Sequence, residues 1–153
     1  MKSILLSLLI VGFGWSAGDP AGFHYWSASE LKGFSQSLGP KAVGGTPAIQ
    51  QLINFGNYSF MMAMRKGTGQ SELHETQADI MMVESGEATL LYGGEMVGGK
   101  TSGPNEVRGT GISGGLERKV AAGDIITIPV KTPHMMKIDP GKEILYMTIK
   151  VTQ

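Results

Sequence analysis

The sequence contains no cysteine. Disulfide scaffolds, thiolate metal sites, cysteine nucleophiles and a lipid anchor on a processed cysteine are therefore excluded. An excess of either charge is also missing: 13 Lys and Arg stand against 13 Asp and Glu, with no run of like charges. A nucleic-acid binder concentrates basic residues on one face, so no nucleic-acid partner is expected. No apolar run is long enough to span a bilayer. The longest, Ile4–Phe13, is broken by Ser7 and Gly12 and falls well short of the roughly 20 residues a spanning helix needs. Histidine is scarce, with only His24, His74 and His134. There is no Gly-x-Ser-x-Gly elbow for a serine nucleophile.

What the sequence has in excess is glycine, 23 residues of 153, about twice the average usage of roughly 7%. With 41% hydrophobic residues and no collagen period, this predicts tight turns between short strands. Met1-Lys2, the apolar stretch to Phe13 and the small residues Gly14 to Gly18 around Trp15 have the layout of a secretory signal peptide. Residues 1–18 are read as that signal, 19–54 as an N-terminal extension with one helix, and 55–153 as the main domain. The mature protein is then exported, periplasmic or secreted, without a membrane span.

Ser27-Ala28-Ser29-Glu30 is a capping box that predicts a helix to about Ser37, with Leu31, Phe34 and Leu38 on its buried face. Gly39-Pro40 ends it. Short extended segments follow at Tyr58–Arg65, Gln70–His74, Ile80–Val83, Ala88–Tyr92, Ile125–Val130, His134–Ile138 and Ile144–Val151, separated by turns that include Ser85-Gly86. This spacing reads as an all-β sandwich or barrel. The stretch 97–115 holds seven glycines and is read as a long loop over one end. Its glycines lack the strand–glycine–helix setting of a phosphate loop.

Residues two apart on a strand share a face, so Glu72 and His74 point the same way. Asp79, Met81 and Val83 share a face after the intervening turn. His134 arrives from another strand. Carboxylates and imidazoles converging on one face suit a metal that prefers oxygen and nitrogen. His24, between Phe23 and Tyr25, reads as a surface or docking residue.

These residues resemble the two signature motifs of the cupins. Glu72-Leu73-His74, then Asp79 after four residues and Gly86 after six more, is similar to the first motif. There, two histidines one residue apart precede a glutamate and a glycine. Gly123, Pro129, Lys131 and His134 match the intervals of the second motif, which carries a glycine where this chain has Lys131. The resemblance covers about residues 55–151. It implies a double-stranded β-helix, or jelly-roll, barrel preceded by the short helix, often a homodimer, with one divalent metal in its mouth. The implied ligands are Glu72, His74, Asp79 and His134, two imidazoles and two carboxylates. That set favours Mn or Fe, with Zn or Ni also compatible.

The implied partner is a small organic molecule, on which cupins run oxygenase, isomerase and lyase chemistry. In a catalytic reading Glu72 takes or returns a proton, and Met81, Arg108 and Met136 contact the substrate. The ten methionines fit both adaptable core packing and a soft pocket lining. Arg108 fits either a salt bridge to Glu106 or a grip on a substrate carboxylate. A non-catalytic ligand-binding module and a structural dimer with a degenerate site remain open alternatives.

Overall fold

The computed structural model describes residues 18–153. The proposed signal segment lies outside the described residues except for Gly18. The helix α1 spans Ala28–Leu38, opened by the capping box as expected: Ser27 Oγ accepts from the Glu30 amide and Glu30 accepts from the Ser27 amide. A single 3₁₀ turn, Gly39–Lys41, carries Pro40 and follows it directly.

Twelve strands follow among the described residues: β1 (Ala48–Asn54), β2 (Tyr58–Arg65), β3 (Ser71–His74), β4 (Gln77–Tyr92), β5 (Glu95–Val97), β6 (Lys100–Gly103), β7 (Glu106–Gly109), β8 (Gly111–Ser113), β9 (Leu116–Ala121), β10 (Ile125–Ile128), β11 (His134–Lys137) and β12 (Ile144–Thr152). All pair antiparallel. One sheet runs β1-β2-β12-β4-β10 and the other β9-β4-β11-β3-β7-β6, with β5 and β8 forming a separate ribbon. The all-β barrel expected from the sequence is the observed architecture, a curled antiparallel jelly roll with one short helix.

The two sheets share β4. Its first half pairs with β12 and β10, its second half with β9 and β11. The expectation of two strands around a Ser85-Gly86 turn is therefore corrected: Gly86 is a kink inside one strand of 16 residues. It has φ +78°, and a Cβ there would lie 2.0 Å from the Glu143 carbonyl oxygen. Only glycine allows both that dihedral and that approach, and so its turn-like signal comes from a bend that keeps its ladder.

The stretch 97–115 is also corrected. Instead of a long loop it contributes β6, β7 and β8, turning through Gly98 at φ +63°, Asn105 at φ +59° and Gly114 at φ +69°. Glycines at turns so close together hide strands of three or four residues. The β1 strand, ahead of residue 55, belongs to the first sheet as well.

Strand alternation divides the core. On β2 and β12 one parity, Met62, Met64, Leu145 and Met147, packs under α1 with Leu31, Phe34 and Leu38. Each such apolar side chain stabilises the fold by about 1.5–3 kcal/mol when fully buried. The other parity, Ala63 and Tyr146, joins Met81, Val83, Leu90 and Met136 between the sheets. Arg65, Thr148 and Lys150 share that inward parity and line the cavity described next.

Candidate metal centre

The inner face of the barrel encloses a cavity of about 160 Å³. Glu72 lines it from β3 and Asp79 from β4, and His74 on β3 and His134 on β11 stand beside them, His134 being the register partner of Glu72. All four residues named by the motif spacing therefore meet at one point. Donor atoms of Glu72, His74 and His134 lie within 4.8 Å of one another. Asp79 Oδ2 is 3.3 Å from His74 Nε2 and 3.5 Å from His134 Nε2.

Each imidazole is oriented from behind. His134 Nδ1 donates to the Thr132 carbonyl at 3.0 Å, which places the lone pair on Nε2. That Nε2 is buried and has no hydrogen-bond partner among the described residues. An orphaned buried acceptor is costly unless a ligand or ion meets it. His74 Nδ1 donates to Glu106 Oε2, so its Nε2 also faces the site. A histidine fixed through the far nitrogen by a carboxylate or carbonyl is the arrangement that prepares the near nitrogen for a metal. The turn feeding β11 is tied to the same strand: the Lys131 amide donates to the His74 carbonyl at 2.8 Å. Lys131 has φ +59°, the left-handed region that explains why glycine is expected there.

Charges in the cavity are closely matched. Glu72 Oε1 accepts from Arg65 at 2.8 Å and from Arg108 at 2.7 Å, leaving Oε2 facing His74 Nε2 at 3.8 Å. Arg65 also donates from Nε to the buried Tyr146 hydroxyl at 2.9 Å. Arg108 reaches Glu106 Oε1 at 2.6 Å, the salt bridge expected of that pair, but on β7 instead of in a loop. Lys150 Nζ lies 2.8 Å from Asp79 Oδ1 and 2.7 Å from His74 Nε2.

Burial alone would raise the Asp79 pKa; the close imidazoles of His134 and His74 and the Lys150 charge outweigh it and hold the carboxyl far below the usual range. Burial would lower that of His74; its bonds to Asp79 and Glu106 raise it instead, to about 9, against the opposing charge of Lys150. Glu106 is lowered, its burial outweighed by the His74 bond. The carboxylates thus draw a cation onto His74 Nε2.

Of the expected substrate contacts, Met81, Arg108 and Met136 all line the cavity. The two readings of the methionines divide by position, since Met62 and Met147 pack under the helix. His24 stacks on Trp26 with ring centroids 5.6 Å apart, away from the cavity.

No family model and no curated protein matches the sequence. Solved structures do match in fold. A recombinant oxalate oxidase in complex with glycolate aligns with a TM-score of 0.56 at 18% identity, over 90% of this chain and 62% of that one. Peruvianin-I from Thevetia peruviana latex, described as a cysteine peptidase, aligns with a TM-score of 0.55 at 13% identity, over 95% of this chain and 84% of that one. A predicted oxalate decarboxylase from Thermotoga maritima aligns with a TM-score of 0.52 at 11% identity, over 70% and 81%. The chain has the cupin fold. At such identities the likeness concerns the fold of the barrel alone.

Within this cupin barrel, Glu106, Arg65, Tyr146 and Lys150 escaped the sequence reading. Glu106 was paired with Arg108 there, but its grip on His74 was not visible. For Lys150 a signal existed: it has the parity of Tyr146 and Thr148 on β12, so alternation sends it inward.

Proposed function

We propose that this cupin binds one divalent metal ion through Glu72, His74 and His134, and a small carboxylate-bearing organic molecule beside it. The observation that carries the reading is His134 Nε2, buried, lone pair inward, with no protein partner. Two imidazole nitrogens and carboxylate oxygen form a donor set suited to Mn or Fe, with Zn and Ni also accommodated. Asp79 stands beside this set with one oxygen on Lys150.

A metal bound there supplies Lewis acidity toward a ligand carbonyl or carboxylate. The chain's own residues supply the rest. Arg108 and Arg65 hold Glu72 by one oxygen and leave its Oε2 as the oxygen offered to the metal. Met81 and Met136 give the cavity an apolar wall. Arg108, about a third exposed, offers guanidinium donors at the opening.

Arg65, Arg108 and Lys150 are set against Glu72, Asp79 and Glu106 around the site. Adding a divalent cation makes the site positive, which favours an anionic ligand. The glycolate complex of the similar oxalate oxidase is consistent with that class. Export rests on the character of residues 1–18, and a homodimer on the cupin resemblance.

Elemental analysis of untagged protein, beside a His74→Ala/His134→Ala double mutant, tests the proposal. About one equivalent of metal in the wild type and none in the mutant is expected. No metal in either after supplementation would overturn it in favour of a metal-free binding module.

A further inference from the structure

The geometry points to Lys150 as a built-in competitor for the metal: its ammonium pairs with His74, a proposed ligand, and with Asp79 beside it, and must leave His74 before a divalent cation can bind. The inference rests on the metal-binding reading above and concerns what that reading leaves unexplained, a half-buried lysine in a cation site.

Lys150 is the β12 register partner of Asp79 on β4. Its inward parity carries the side chain into the cavity, and it is only 18% exposed. Nζ makes two contacts of hydrogen-bond length, to Asp79 Oδ1 at 2.8 Å and His74 Nε2 at 2.7 Å. His74 Nδ1 is already committed to Glu106, so Nε2 is the nitrogen left for a metal, and Nζ holds the position 2.7 Å from it. Among the described residues nothing stands at hydrogen-bond distance from His134 Nε2. One imidazole is free and one is blocked by a tethered cation.

Two consequences follow. An ammonium at hydrogen-bond distance from His74 cannot remain beside a divalent ion bound to the same nitrogen, because like charges at that separation repel strongly in a poorly solvated cavity. Metal uptake thus moves Lys150 off His74, and the affinity of the site is lowered by the strength of the contact broken. Without metal, Lys150 prevents Asp79, 2% exposed, from being a buried charge lacking a cation. The same residue stabilises the metal-free barrel and weakens metal binding.

Titration of chelator-stripped full-length protein with Co(II), followed by its visible spectrum, compares wild type with Lys150→Met and Lys150→Gln. Both variants should bind Co(II) at least tenfold more tightly than wild type while melting at lower temperature without metal. Equal or weaker binding in the variants, with wild type still taking one equivalent, would overturn the inference and leave the metal-binding reading intact. Absence of binding in all three proteins would overturn both.

Nitrogen NMR of wild type provides a reading that no variant's folding can obscure. One equivalent of Zn(II) should abolish the coupling between the Lys150 ammonium and His74 Nε2. Its persistence in the metal-loaded protein would overturn the inference.

Discussion

Glu106 accepts the Nδ1 proton of His74 with one carboxylate oxygen and holds Arg108 with the other. The ring of His74 is thereby fixed in one tautomer by a residue on β7, a strand that pairs with β3 through His74 opposite Glu106. Without that carboxylate, His74 would have no partner on its far nitrogen to keep Nε2 turned toward His134.

Glu106→Gln keeps the shape and removes the charge. An amide partner for a metal-ligating histidine typically costs 10–100-fold in metal affinity. Co(II) titration should show a loss of that size with stoichiometry unchanged. Wild-type affinity in the variant would mean that Glu106 serves Arg108 alone.

Gly86→Ala should destabilise the protein by about 2–4 kcal/mol, from the strain of a side chain in the left-handed region and from collision with backbone. The added Cβ would meet the Glu143 carbonyl oxygen at 2.0 Å. Gly111→Ala is the matched control, since nothing lies within 4 Å of its Cβ position, and should change stability by no more than about 0.5 kcal/mol. Urea unfolding of both measures the contrast, and comparable losses at the two positions would contradict the kink assignment.

Lys131→Gly should act in the opposite direction. Lys131 sits at φ +59°, where an L-residue costs roughly 1–2 kcal/mol, partly offset by the greater freedom of glycine in the unfolded chain. A net gain of about 0.5–1 kcal/mol is expected by urea unfolding, with metal stoichiometry unchanged. A loss would show that the Lys131 side chain supports the turn beyond its backbone bond to His74.

The site was legible in the sequence where its chemistry is carried by spacing. Glu72 and His74 share a strand face, and the intervals to Asp79 and His134 suffice to bring the four together. The cations around them were not legible. Lys150 lies 71 residues from Asp79, and a lysine near a strand end ordinarily extends to solvent; strand parity turns it inward, but only the pairing of β12 with β4 shows which residues it meets. Arg65 has the same history, ending β2 at a glycine-rich turn yet bound to Tyr146 and Glu72. The helix was readable to within a residue because its capping box is local. Strands β6 to β8 were not, because each is shorter than the pattern needed to recognise it.

The long strand β4 bears on how anything reaches the cavity. A hinge needs two bodies joined by a pliable segment. Here the segment common to both sheets is itself hydrogen-bonded along most of its length, to β12 and β10 on one side of Gly86 and to β9 and β11 on the other. Parting the sheets would tear a ladder, so the barrel cannot open like a book. Traffic is left to the rim, where Arg108 and the edge strands β1 and β6 can shift without disturbing β4. Amides of β4 should therefore be among the slowest in the protein to exchange with solvent, whatever enters or leaves the barrel.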